Sequence, residues 1–176
     1  DASGNWTYAL KNTSTAVQSL NAGQTVFDTF SVTTAGGASQ TVTIAVTGVN
    51  DRPTLSSSAK LLTLAEDASP TTGPTVATLF GGRFGDVDSG ASLGGVLVTA
   101  NAATAGQGTW LYKAVGGAWT AIPTSGLSTT HALALDADTQ IKFVPALNYN
   151  GTPGVLTVYA ADDQYEVLAE LLPELK

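Results

Sequence analysis

The chain has 176 residues and a net charge of −7, which allows one large domain or two small ones and disfavours binding to a phosphate backbone or an anionic membrane. It has no cysteine, which excludes disulfides, zinc thiolate sites and cysteine nucleophiles. No apolar run approaches the roughly 20 residues of a membrane-spanning helix. We therefore expect neither a nucleic-acid partner nor a membrane span.

Two early segments have the pattern of strands. The first is 25–33, "TVFDTFSVT", and in the second Val42, Ile44 and Val46 alternate with small polar residues, which indicates one buried and one wet face. Pro53 disfavours helix just before it, so we expect a domain boundary at about residue 51. Residues 1–50 hold too few strands for a sandwich of about seven. The first unit is therefore expected to be incomplete, or to be completed by strands from another chain.

Six further short apolar runs follow, each bounded by turn residues. They lie at 61–65, 75–80, 94–100, 108–114, 139–145 and 154–161. A turn about every ten residues predicts an all-β sandwich over residues 51–165. We predict no helix before the tail, 166–176, where apolar residues have helical spacing and Pro173 limits any helix to about one turn.

Two enzyme hypotheses find little support in the residues. Residues 90–94, "GASLG", match the G-x-S-x-G pattern of hydrolases, but the only histidine is His131 and no acid lies between it and Ser92. A glycosidase is also disfavoured, because no acid sits among the aromatic residues that would line a sugar cleft. We therefore expect the chain to be no enzyme.

The three tryptophans admit two interpretations. Gly-x-Trp-x-Tyr occurs at 4–8 and again at 108–112, which suggests two related β units in tandem. Trp and Tyr at this spacing lie on one face of a strand, where they form either a packing pair or a platform for a sugar. The candidate platforms are Trp6, Trp110 and Trp119.

The acidic residues point to a divalent cation. Asp86 and Asp88 lie on the same side of an extended segment, and further acids stand at expected strand ends, which gather at the poles of a sandwich. The pattern is not an EF-hand, because Gly90 is the fifth residue from Asp86 rather than the sixth. Calcium is the predicted ion, and the alternative is that each acid only caps a turn. The candidate ligands are Asn50, Asp51, Glu66, Asp67, Asp86, Asp88, Asp162 and Asp163.

Residues 3–51 resemble the C-terminal half of a VCBS repeat, a type found in tandem in very large bacterial surface proteins, including RTX-type adhesins. The likeness rests on "WTY" at 6–8, "DTF" at 28–30 and the closing "TGVND". Residues 52–163 resemble a bacterial cadherin-like domain through "LAEDAS", "FGDVDSGASLGGVLVT" and "LTVYAADD". The first repeat lacks its front half, and the tail matches neither pattern.

The resemblance implies an immunoglobulin-like or cadherin-like β-sandwich in two tandem units, the first incomplete. It also implies export to the cell surface and calcium at domain junctions. The expected function is a structural or adhesive module that calcium stiffens, with neighbouring repeats of the same protein as partners. Two alternatives stay open: a fibre subunit completed by strand exchange between copies, and a module that binds a surface glycan or matrix.

Overall fold

The computed structural model describes residues 6–61 and 64–164, which form antiparallel sheets with only 8% helix. This confirms the predicted all-β class, and the described sheets do not close into a barrel. The strands are β1 Thr25–Thr33, β2 Ser39–Thr47, β3 Thr54–Leu55, β4 Phe84–Gly85, β5 Leu93–Asn101, β6 Gly108–Lys113, β7 Thr120–Ala121, β8 Leu133–Asp136, β9 Gln140–Pro145 and β10 Leu156–Asp162. The helices are α1 Thr15–Gln18 and α2 Val76–Phe80, and a 3-10 turn occupies Gly81–Arg83.

The chain divides into two compact units. Unit 1 comprises the described residues up to Asp51 together with Val87–Gly90, and unit 2 comprises the described residues of 52–86 and 91–164. No sequence pattern indicated that residues 87–90 belong with the first unit.

Unit 1 is built on one long hairpin. Strands β1 and β2 pair antiparallel along their full lengths, with Val26 opposite Val46 and Phe30 opposite Val42. Because side chains alternate along a strand, these residues share one face with Ile44 and Asp28, and this face is mainly apolar. The other face carries Phe27 and is rich in threonine. The segment before α1 lies on the apolar face, where Trp6 packs edge-on against Phe30 at 6.3 Å between ring centroids.

Unit 2 is a sandwich around a shared core. One sheet has the order β10-β5-β8, the other has the order β7-β6-β9, and β3 and β4 form a short separate pair. Val96 and Val98 of β5 meet Ile141 of β9 in one buried cluster, so residues of both sheets contribute to it. Helix α2 adds Val76 and Phe80 to the same cluster.

Two sequence-based predictions about helices are wrong. Residues 75–80 were expected to form a strand, but 76–80 form α2 because the Thr75 hydroxyl accepts a hydrogen bond from the Thr78 N–H at 3.1 Å and caps the helix. Helix α1 is the second error, because no helix was predicted before the tail.

The predicted strand 61–65 lies partly outside the described residues, and Leu61, Leu64 and Ala65 belong to no strand. The predicted tail helix at 166–176 lies outside them.

Candidate functional site

Three segments of unit 1 meet around Asp88. The N–H of Ser89 donates to the carbonyl of Ser19 at 3.2 Å, which joins the segment after α1 to 87–90. The N–H of Asp51 donates to Oδ2 of Asp88 at 2.9 Å, which joins the end of the 48–51 segment to the same residues. These two bonds gather side chains that are far apart in sequence.

Gly48 allows two of these segments to approach closely. A Cβ at this position would overlap the carbonyl oxygens of Leu20 and Asn21, so no larger residue fits without displacing the backbone. The carbonyl of Gly48 also accepts from the Gly23 N–H at 3.1 Å, which fixes the approach. The segment 19–21 is therefore held directly against the chain that leads into Asn50 and Asp51.

The meeting point is rich in oxygen and in negative charge. Asp88 is only 5% exposed, and Asn50 and Asp51 are half-buried. Oδ1 of Asn21 is buried, and no described group donates a hydrogen bond to it. Lys11 is the only basic residue in the described part of unit 1, which also holds Asp28, Asp51 and Asp88. Carboxylate and amide oxygens in such a setting are the donors that calcium prefers.

Asn21 lies in the segment 19–21 that meets the 48–51 segment, and the sequence did not indicate this residue. It stands just before Gly23, whose φ of 72° marks a tight turn ahead of β1. The Asn21-x-Gly23 spacing is a local turn signal. Nothing in that signal says that the turn packs against a segment near residue 50.

Two more predicted ligands stand at the end of β10 in unit 2. Asp162 is 3% exposed, and its Oδ1 accepts from the N–H of Gln164 at 2.9 Å. Asp163 is exposed, and its carboxylate accepts from the N–H and the hydroxyl of Ser92 at 2.9 and 2.8 Å. The bond from the Ser92 N–H, followed by the bond from its hydroxyl, holds the pKa of the Asp163 carboxyl below its ordinary value. Asp163 therefore joins β10 to the segment that leads into β5.

The remaining predicted ligands belong to unit 2. Asp86 is half-buried just after β4 and groups with unit 2, although only one residue separates it from Asp88. Glu66 and Asp67 are exposed in a turn, where Oδ1 of Asp67 accepts from the N–H of Asn148 at 2.8 Å. That bond joins the turn at 66–67 to Asn148.

Within residues 6–61 and 64–164, no three His, Cys, Asp or Glu side chains come together as a group that could hold a metal ion. A cation at Asp51 and Asp88 would therefore need amide and backbone carbonyl oxygens to complete its coordination. Asn21 and Asn50 carry amides of the required type in the same part of unit 1. The donor chemistry fits calcium, which accepts such mixed oxygen ligands.

The tryptophans occupy three different settings. Trp110 is half-buried, donates from Nε1 to the carbonyl of Gly154 at 2.8 Å and packs on Phe143 at 5.2 Å. The ammonium of Lys142 lies 4.0 Å from the ring centroid of Trp119. Trp6 keeps 60% of its surface exposed beside Phe30. Trp110 thus acts as a packing residue.

The G-x-S-x-G serine has an acid partner. Ser92 bonds to Asp163, whereas His131 exchanges backbone hydrogen bonds with Ser128 at 3.1 and 3.2 Å. No hydrogen bond joins Ser92 to His131 in the described part of the chain.

No protein-family model, no curated protein and no solved structure matches this chain. Among the described residues, no helix is both long and apolar enough to cross a membrane.

Proposed function

We propose that the chain is a non-catalytic structural module of a large bacterial surface protein, and that its first unit binds one calcium ion. The observation that carries the proposal is the burial of Asp88 against the segment that ends in Asn50 and Asp51. The likeness of residues 3–51 and 52–163 to repeats of exported adhesins supports an extracellular setting and an array of neighbouring repeats.

Asp51, Asp88, Asn50 and Asn21 are the residues that would hold the ion. The backbone bond from Asp51 to Asp88 brings two acidic residues into the same part of unit 1, whose described residues include only one basic side chain, that of Lys11. Calcium supplies the compensating positive charge when bound. Gly48 and Ser19 contribute by holding the segments 19–21, 48–51 and 87–90 together, so the site depends on the fold of unit 1.

The functional consequence is mechanical. A ligand that binds only the folded state stabilises it, by about 2.7 kcal/mol at a hundredfold excess over its dissociation constant. The three segments would then open less readily under load. A module of this kind acts as a stiff spacer that projects another part of the same protein away from the cell.

Thermal unfolding with calcium and with a chelator tests the proposal. Calcium should raise the melting temperature of the wild-type chain by several degrees relative to the chelated sample. Asp88→Asn keeps the shape of the side chain and should remove that rise. Asp138→Asn, at an exposed acid in the turn between β8 and β9, is the matched control and should keep it. Equal melting temperatures with and without calcium in the wild-type chain would overturn the calcium proposal.

A second candidate function is assembly of copies through unit 1. The apolar face of the hairpin is only partly covered: Phe30 is 40% exposed, and Val26 and Val32 are exposed beside it. Within the described residues β1 and β2 pair only with each other, so both outer edges of the hairpin are open to another strand. An isolated two-stranded hairpin is marginally stable, and pairing with a second copy would stabilise it.

Sedimentation at increasing protein concentration distinguishes assembly from a monomeric spacer. Phe30→Ser should abolish concentration-dependent association, whereas Phe27→Ser, on the opposite face, should leave it intact. Added salt should strengthen association, because it screens the repulsion between chains of net charge −7. A single monomeric species in all samples would contradict assembly and leave the spacer as the function.

A further inference from the structure

A groove in unit 2 combines apolar walls with basic side chains. Its volume is about 610 Å³, and ligand sites typically have roughly 300–1,000 Å³. Leu61, Leu64 and Leu79 contribute apolar walls. The basic residues that line it are Lys60, Arg83 and Lys142. An occupant that suits this groove is therefore both apolar and acidic.

Positive charge is concentrated in this groove, although the chain as a whole is acidic. Three of its 7 basic residues line this one groove, although the chain has 14 acids. The Arg83 guanidinium donates to the carbonyls of Ser58 and Leu79 at 3.2 and 2.6 Å. Among the described residues no carboxylate forms an ion pair with Lys60 or Arg83. Acidic groups of an occupant would find both cations available.

We propose that this groove binds the chain's own C-terminal segment, residues 166–175, "EVLAELLPEL". The segment has the composition that the groove suits, because it alternates acids with leucines. Its acids are Glu166, Glu170 and Glu174, and its leucines are Leu168, Leu171, Leu172 and Leu175. Leucine side chains would fill the apolar part, and the glutamates would pair with the basic rim.

The segment can reach the groove. The N–H of Asp163 donates to the carbonyl of Ser92. Gly94 is two residues after Ser92, and its carbonyl accepts from the N–H of Ala137. The carbonyl of Ala137 in turn accepts from Ala77 of α2, whose neighbour Thr78 lines the groove. Successive Cα atoms lie about 3.8 Å apart and hydrogen-bonded neighbours about 5.5 Å apart, so this path places Gln164 within roughly 31 Å of Thr78. The chain from Gln164 to Leu175 spans about 36 Å when extended, so the C-terminal part of the segment reaches the groove.

Site-directed cross-linking tests the proposal cleanly, because the natural chain has no cysteine. Thr72→Cys places a thiol on the groove, and Leu171→Cys places one in the segment. The double variant should form an intrachain disulfide much faster than the control pair Thr109→Cys with Leu171→Cys, since Thr109 is exposed on β6 and does not line the groove. The reaction is run in chelator, so its result is independent of calcium binding in unit 1.

Charge reversal provides the second readout. Lys60→Glu should slow the Thr72–Leu171 cross-link by roughly two- to fivefold, the effect of an exposed ion pair, whereas Lys113→Glu, outside the groove, should not. Equal cross-linking rates at Thr72 and Thr109 would overturn the proposal. Disulfides that form only between chains would also overturn it and would assign the groove to a second copy.

Discussion

Asp51 and Asp88 are 37 residues apart in sequence, yet the backbone N–H of Asp51 donates to the carboxylate of Asp88 at 2.9 Å. This bond helps to hold 87–90 in unit 1. It also places the buried carboxylate at the end of a segment that already carries Asn50 and Asp51. The calcium proposal depends on this single tertiary contact more than on any spacing in the sequence.

The close approach at Gly48 should be essential for the same region. Gly48→Ala is expected to destabilise unit 1 by about 1–3 kcal/mol, because the added methyl group overlaps the carbonyl oxygens of Leu20 and Asn21. Gly36→Ala is the matched control, since the nearest atom to a Cβ there is Oγ1 of Thr34 at 4.0 Å. Urea unfolding of both variants measures the difference, and equal midpoints would show that the approach is looser than described.

The link between Asp163 and Ser92 should make stability depend on pH in the acid range. Since the folded-state pKa of Asp163 is lowered, its contribution is fully present above the unfolded-state pKa of about 3.9 and is lost as pH falls through the folded-state value. Asp163→Ala should cost about 1 kcal/mol at neutral pH, because solvent screens this exposed pair, and should cost less once the pH falls below the lowered folded-state pKa of Asp163.

Thermal melts from neutral to acid pH check this dependence. Asp138→Ala, which removes an exposed acid from a turn, is the control. A pH-independent difference between Asp163→Ala and the wild-type chain would contradict a role for the ionised carboxyl.

The cap of α2 gives a third prediction, now for unit 2. Thr75→Ala should destabilise the unit by about 1 kcal/mol, because the N–H of Thr78 loses its acceptor. Thr75→Ser keeps a hydroxyl and should restore most of the loss. Chemical denaturation of the three proteins provides the comparison, and a serine variant as weak as the alanine variant would argue against capping.

The strands of the hairpin could be predicted from the sequence because alternation is a local property. Residues 25–33 were expected to form a strand and form β1, and Val42, Ile44 and Val46 share one face of β2. Residues 75–80 have similar β-branched composition, but one hydroxyl at Thr75 and burial of Val76 and Phe80 one turn apart favour a helix instead. A single cap outweighs a weak strand preference over so short a segment.

The candidate site was harder to predict because it depends on pairing between distant segments. The spacing of Asp86 and Asp88 suggested that the two act together, and nothing in that spacing indicated that 87–90 group with unit 1. Asn21 could be identified only from the structure, in which its carbonyl lies close to Gly48. Nothing in the sequence distinguishes Asp67 and Asp163 from Asp88. In the structure, Asp67 accepts a hydrogen bond from Asn148, and Asp163 accepts one from Ser92.

Calorimetric titration of calcium into the folded chain detects the proposed site itself. We expect one binding event per chain in the wild-type protein, its loss in Asp88→Asn, and its retention in Asp138→Asn. Circular dichroism on the same samples establishes that each variant is folded. Calcium binding that persists unchanged in a folded Asp88→Asn variant, or that is absent from the wild-type chain, would show that Asp88 holds no calcium ion.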